Sequence, residues 1–181
     1  MIAADTSMPF SAALDSAHIT AFFPPLPHLY RMSIVTGNYA VESAIIPAQL
    51  SAVWHKIKLA DFSSWWSALE SSGPAPKGVS DEVDVYEWKF KDGTVIHIKQ
   101  EEHSSLRHSI SYSVITANPS LTYSSVISSI TLFAVTTGEN AGSTFVQWTA
   151  QFSSDADAAA VEDAKYKRRE ALADLAKAVK A

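Results

Sequence analysis

The chain contains no cysteine, which removes disulfides, iron–sulfur clusters, thiolate zinc sites and cysteine nucleophiles together. Glycine is scarce, six in 181 residues and scattered. Neither a dinucleotide fingerprint nor a phosphate loop can be built from them, and no G-x-S-x-G elbow is present. No apolar run approaches the roughly 20 residues of a membrane-spanning helix. The N-terminus lacks a basic stretch followed by an apolar one, which argues against a secretory signal. Basic residues form no stripe: 14 Lys and Arg stand against 19 Asp and Glu, for a net charge of −5. Nucleic-acid binding needs clustered cations to neutralise phosphates, so that partner class is set aside. The expectation is a soluble, cytoplasmic protein with no resident cofactor and no integral membrane association.

What the chain does have is aromatic bulk. Five Trp, six Tyr and eight Phe fall within an apolar share of 47%, enough for one domain with a proper core. Such a supply also suits the lining of a cavity. Residues 1–37 differ from the rest, being rich in Ala and Ser and then carrying Phe22, Phe23, Pro24, Pro25, Leu26 and Pro27. No helix or central strand holds that proline density. A flexible leader is expected there, with Met32 a candidate start of ordered patterning. The alternative is a lid in which Phe22, Phe23 and Leu26 cover a pocket mouth.

Patterning begins at Asn38. Residues 38–46 alternate as a strand, and Pro47 opens a helix expected over 48–57, with Leu50, Val53, Trp54 and Ile57 on one side. Residues 59–64 read as a short helix or turn, and 65–72 as a second strand ending in the Gly73–Gly78 loop. A β-meander follows. It comprises strands over 83–91, 95–102, 107–117, 124–137 and 143–154, with Asp92 and Gly93 in a tight hairpin. In the last strand Val146, Trp148, Ala150 and Phe152 share one face. Ser154 and Asp157 have capping-box spacing before a helix over 155–180. The resulting order, β-α-α followed by six strands and a long helix, predicts an α+β fold. Its curved seven-stranded antiparallel sheet would wrap the terminal helix.

That order resembles the START-like superfamily, which includes birch-pollen-allergen-type proteins, plant hormone receptors, polyketide cyclases and lipid-transfer proteins. The matching pieces are Phe62 with Trp65 and Trp66, the Lys91-Asp92-Gly93 hairpin, Leu106 with Ile110, Ser111 and Tyr112, and above all Thr144, Val146, Trp148 and Phe152 before the helix. The last set is close to a run common in the polyketide cyclase/dehydrase-like (SRPBCC) branch. The resemblance covers residue 38 to the end and implies a helix-grip fold holding an apolar or amphipathic small molecule between sheet and helix. Carried over by position, it implies a cavity lined by Tyr86, Trp88, Phe90, Ile98, Gln100, His108, Ile110, Tyr112, Ser129 and Trp148. The chain also departs from the family. Catalytic members of the lachrymatory-factor-synthase type carry a Glu where Ile98 stands, and an Arg on the preceding strand, where Ser80 and Asp81 are found. Acid–base chemistry of that type is therefore not implied.

The terminal helix carries an anomaly of its own. At 100° per residue, Val161, Lys165, Arg168, Leu172, Leu175 and Val179 form one stripe, so two cations fall on the face that meets the sheet. They either snorkel to the cavity mouth or anchor a carboxylate or enolate, Arg168 by a bidentate fork. His108 and Tyr112, four residues apart on one strand face, form a candidate base and proton donor; the alternative is a hydrogen-bonded core histidine beside a packing tyrosine. His97, His103 and His108 fall in different places, so no metal site is expected. The expected function is binding of an apolar or amphipathic ligand, as carrier or receptor-like binder. The alternative is a cofactor-independent cyclase, dehydratase or isomerase acting on a polyketide-like intermediate.

Overall fold

The computed structural model describes residues 37–80 and 83–180. The leader expected over residues 1–37, and the lid alternative with it, lies outside the described residues apart from Gly37. From there the chain forms β1 (Tyr39–Ile46), a short helix α1 (Leu50–Trp54), a 3-10 turn (Leu59–Ser64), and β2 (Leu69–Pro74). The meander continues with β3 (Val85–Phe90), β4 (Val95–Ser104), β5 (Ser109–Asn118), β6 (Val126–Ala134) and β7 (Thr144–Phe152). The helix α2 (Ala158–Ala178) follows. One antiparallel sheet has the order β1-β7-β6-β5-β4-β3-β2. The N-terminal strand thus crosses to pair with the last one, Ala40 opposite Ala150 and Ile46 opposite Thr144.

The alternation read from sequence sets the two faces. In β7 Val146, Trp148, Ala150 and Phe152 are buried, while Gln147 and Thr149 are half-buried and Gln151 is exposed on the other side. In β1 the Tyr39, Val41 and Ile45 side chains point outward and are 40–49% exposed. Helix α2 closes the inner face with Val161, Ala171, Leu172 and Leu175. This is the α+β helix-grip architecture expected, a seven-stranded sheet packed on its terminal helix.

Boundaries moved where core packing outweighed local pattern. The strand expected over 65–72 begins only at Leu69, because Trp65 and Trp66 are taken into the core at 6% and 4% exposure. The Trp65 ring packs 4.7 Å from Phe62, and its indole N–H donates to the Lys56 carbonyl at 2.9 Å. The helix expected over 48–57 shrinks to five residues, a length that depends on tertiary burial of Val53 rather than on propensity. The cap of α2 is Asp157, whose carboxylate accepts from the Ala160 N–H at 2.7 Å. Asp155 instead binds Ser124 through both its backbone N–H and its hydroxyl, at 2.9 and 2.6 Å.

The space under the sheet is divided lengthwise. One half is filled by α1 and the 3-10 turn, whose Val53, Leu59 and Phe62 are at most 2% exposed. Phe62 stacks on Trp88 at 4.8 Å, and the Trp88 indole donates to the Leu59 carbonyl at 2.7 Å. The other half is not filled, and the candidate site lies there.

Candidate functional site

The unfilled end is where β3 and β5 finish, β6 starts, β7 finishes and α2 begins. A cavity of about 330 Å³ opens there, at the lower end of the usual range for ligand sites, roughly 300–1,000 Å³. Its walls are the rings of Trp66, Trp88 and Phe90 and the side chains of Ile96, Val114 and Phe152. The β5–β6 connection, residues 119–123, forms one rim, with Asp163 and Lys167 of α2 beside it. Lys167 pairs with Asp163 at 2.9 Å and lies 5.8 Å from the Phe90 ring centre, within cation–π reach.

Polar groups gather at one place on this apolar wall. Arg168 is 8% exposed and Ser128 3%. One terminal nitrogen of Arg168 donates to the Ala164 carbonyl at 2.9 Å, and the other to the Ser128 hydroxyl at 3.0 Å. The Nε has no hydrogen-bond partner among the described residues. Tyr112, 4% exposed, accepts from the Trp148 indole N–H at 3.1 Å and interacts with the Ser128 hydroxyl as well. Burial lowers the Arg168 pKa from its ordinary value, with Tyr112 opposing the shift, yet a guanidinium stays charged in proteins. Burial raises the Tyr112 pKa, opposed by the Arg168 charge, so the phenol remains a protonated donor at neutral pH. No carboxylate lies within ion-pair distance of Arg168 among the described residues: Glu42 is held by Arg169 and Asp163 by Lys167. A buried cation left in this state is costly.

Of the residues expected at the site, Trp88, Phe90, Tyr112 and Arg168 line the cavity. The others do not. Tyr86, Ile98 and Ile110 sit on the expected strands but belong to the packed core: Ile98 and Ile110 are sealed in it at 0% exposure, and Tyr86 packs against it. Gln100 lies next to a register shift that leaves it half-buried off the cavity wall. Trp148 stands behind Tyr112 and supports it through its indole N–H instead of lining the cavity. Ser129 faces outward and bonds Ser111 at 2.7 Å, its neighbour Ser128 taking the inner position.

The two remaining departures are His108 and Lys165. His108 precedes β5 in a tight turn with φ of +50°, and its ring meets Trp54 edge-on at 5.5 Å. The turn, not the strand, fixes its direction, so it does not join Tyr112. Lys165 pairs with Glu162 at 2.6 Å and borders a separate recess of about 150 Å³ with Gly37, Asn38 and Asp157. It therefore does not share the Arg168 site.

Several parts of the wall escape the sequence reading, among them Ser128, Trp66 and residues 119–123. Ser128 was hidden because β6 has Ser and β-branched residues on both faces, whereas its pairing opposite Tyr112 and Ala150 decides its direction. Trp66 was placed in a strand. Residues 119–123 carry no periodic signal at all. His97 lies on the outer face, between Glu87 at 3.0 Å and Thr116 at 2.7 Å. That order of groups is that of an acid–base–hydroxyl relay, but it sits on open sheet outside the cavity. Among the described residues no group of three His, Asp or Glu side chains gathers to hold a metal.

Comparison with solved structures places this geometry among known folds. A protein from Bacillus thuringiensis superposes with a TM-score of 0.65 at 18% identity, over 79% of this chain and 99% of that one. A protein from Nitrosospira multiformis gives 0.62 at 23%, over 77% and 94%. StfQ, the di-domain aromatase/cyclase of the steffimycin biosynthetic pathway, gives 0.58 at 14%, over 77% of this chain and 44% of StfQ. The shared feature is the fold. This chain thus spans less than half the length of StfQ, and identities this low carry the architecture and nothing of the chemistry. No protein-family model matches the sequence, and no curated protein matches it. No described helix is long and apolar enough to cross a membrane.

Proposed function

We propose that the chain binds a small amphipathic molecule in the cavity between sheet, β5–β6 connection and α2, acting as a carrier or receptor-like binder. The observation that carries this reading is a cavity of about 330 Å³ with an aromatic wall and a single patch of buried polar groups. Apolar walls supply affinity through burial, and a few fixed polar groups orient the guest. Native mass spectrometry of freshly purified protein, followed by titration of the extracted compound, tests it. A retained small molecule released by Phe90→Trp, which fills the wall, supports the reading. Retention unaffected by that substitution places the guest elsewhere and overturns it.

A second reading is a cofactor-independent cyclase, dehydratase or isomerase. Its support is Tyr112, whose phenolic oxygen is braced by Trp148 and Ser128 beside the Arg168 charge. That arrangement suits stabilisation of a developing oxyanion. The expected base, His108, is not on the cavity wall, so the general-base half of the chemistry falls to the substrate or to solvent. Incubation with a poly-β-ketone or enone substrate decides between the two: turnover lost in Tyr112→Phe with binding retained favours the enzyme, and an unchanged substrate favours the carrier.

A further inference from the structure

Counting donors at the Arg168 patch deepens this reading and rests on it. Each terminal guanidinium nitrogen has two N–H groups; one from each is engaged, by Ala164 and by Ser128. The second N–H of each is left. The Ser128 oxygen accepts from Arg168, and the Tyr112 oxygen accepts from Trp148. Each hydroxyl still carries its own proton, and their mutual contact can use just one of the two. Whichever way that contact points, one hydroxyl proton remains without an acceptor. The patch is therefore rich in donors and carries one positive charge, while its acceptors are reduced to one spare hydroxyl lone pair, the rim carboxylate of Asp163 being paired with Lys167. The rings of Trp66, Trp88 and Phe90 border the same space.

We propose that the guest is a small apolar carboxylic acid, its ionised carboxylate seated on Arg168 and the Tyr112–Ser128 hydroxyl pair, its hydrocarbon body against Trp66, Trp88 and Phe90. An ionised carboxylate is acceptor-only, planar and singly charged. It can accept from the spare terminal N–H groups of Arg168 and from the free hydroxyl proton, and it neutralises the buried cation. An alcohol or a primary amide leaves the buried cation unneutralised and brings its own donors to a patch already in excess of donors, and a dianion brings more charge than one guanidinium balances. The lower-end cavity volume limits the body to the size of one or two rings or a short branched chain.

The matched probes are 2-naphthoate and 2-naphthalenemethanol, titrated by isothermal calorimetry at neutral pH into the full chain and into Arg168→Met and Arg168→Lys. The wild type is expected to bind the acid at least about tenfold more tightly than the alcohol, as charge-assisted hydrogen bonds imply. Arg168→Met is expected to bind both alike, with alcohol affinity kept and the melting temperature of the ligand-free protein raised, since an unpaired buried charge has been removed. Arg168→Lys is expected to keep part of the preference. Equal binding of acid and alcohol by the wild type overturns the head-group assignment while leaving the cavity reading in place. A preference that survives in Arg168→Met also overturns it. If neither probe binds, the cavity reading itself fails along with the assignment.

Discussion

The Arg168 guanidinium carbon lies 5.6 Å from the centre of the Trp148 ring, and the N–H of that same ring donates to Tyr112 at 3.1 Å. One indole thus supports the site in two ways, its face against the cation and its edge against the phenol. Trp148 touches the cavity only through these partners. Its value to the site is that it fixes Tyr112 and Arg168 relative to each other, on a central strand paired on both sides.

Trp148→Phe keeps a ring face and removes the donor. The expected cost is about 1–2 kcal/mol of folding stability, combining a lost hydrogen bond with a small void. Urea unfolding measures it, and an unchanged midpoint would mean that the Trp148–Tyr112 bond contributes nothing net.

Tyr112→Phe acts on the same bond from the other end, with a larger penalty. It leaves the Trp148 N–H buried without an acceptor, a cost of about 1–3 kcal/mol. Affinity for an acidic guest is expected to fall with it, while an uncharged apolar guest binds as before. Parallel titrations check this, and equal loss for both guests would reduce Tyr112 to a packing role.

His108→Ala is expected to leave ligand affinity unchanged, because His108 lies in a turn beside Trp54 and away from the cavity. Its φ of +50° is a backbone conformation that favours glycine. His108→Gly is therefore expected to be more stable than His108→Ala, and thermal unfolding of the pair checks that ordering. A loss of binding in His108→Ala would return the histidine to the site.

The Asp155–Ser124 contact fastens the β5–β6 connection to the start of α2. Hydrogen bonds from Ser124, then Ser153, hold the Asp155 carboxyl below its ordinary pKa. A carboxyl with a lowered folded-state pKa adds stability that is complete above its unfolded value, about 4. That stability is lost as pH falls through the lower folded value. The difference in melting temperature between wild type and Asp155→Ala is thus expected to be constant from pH 7 to about 5 and to shrink below about 4. A difference that persists at low pH would show that the ionised carboxylate is not what fastens the segment.

Two-residue alternation in residues 144–152 and 109–117, together with the 3.6-residue pattern of α2, made the architecture legible before any coordinates. Alternating apolar positions must share a face, and a helix with an apolar stripe must cover something. Helical spacing put Arg168 on the sheet-facing side of α2, and the family resemblance carried Trp88, Phe90 and Tyr112 to the cavity wall; all four line the cavity. The resemblance carried Tyr86, Ile98 and Ile110 there as well, yet these are taken up by the packed core. Alternation reports which face a side chain takes. It carries no information on which length of that face stays open.

By itself, then, the sequence determined the strand and helix order, the inner and outer faces, and the presence of a cation on the inner side of α2. Each follows from local chemistry repeated along the chain. Tertiary structure alone decided the rest. Trp65 and Trp66 left the strand pattern for the core, a turn directed His108 away from Tyr112, and β6 pairing turned Ser128 inward in place of Ser129. It also separated Lys165 from Arg168, the first to an exposed glutamate and the second to a buried patch of hydroxyls. The Ser128–Arg168 contact joins residues 40 positions apart, and the two-residue and 3.6-residue periods encode neither such a pair nor the turn that directs His108.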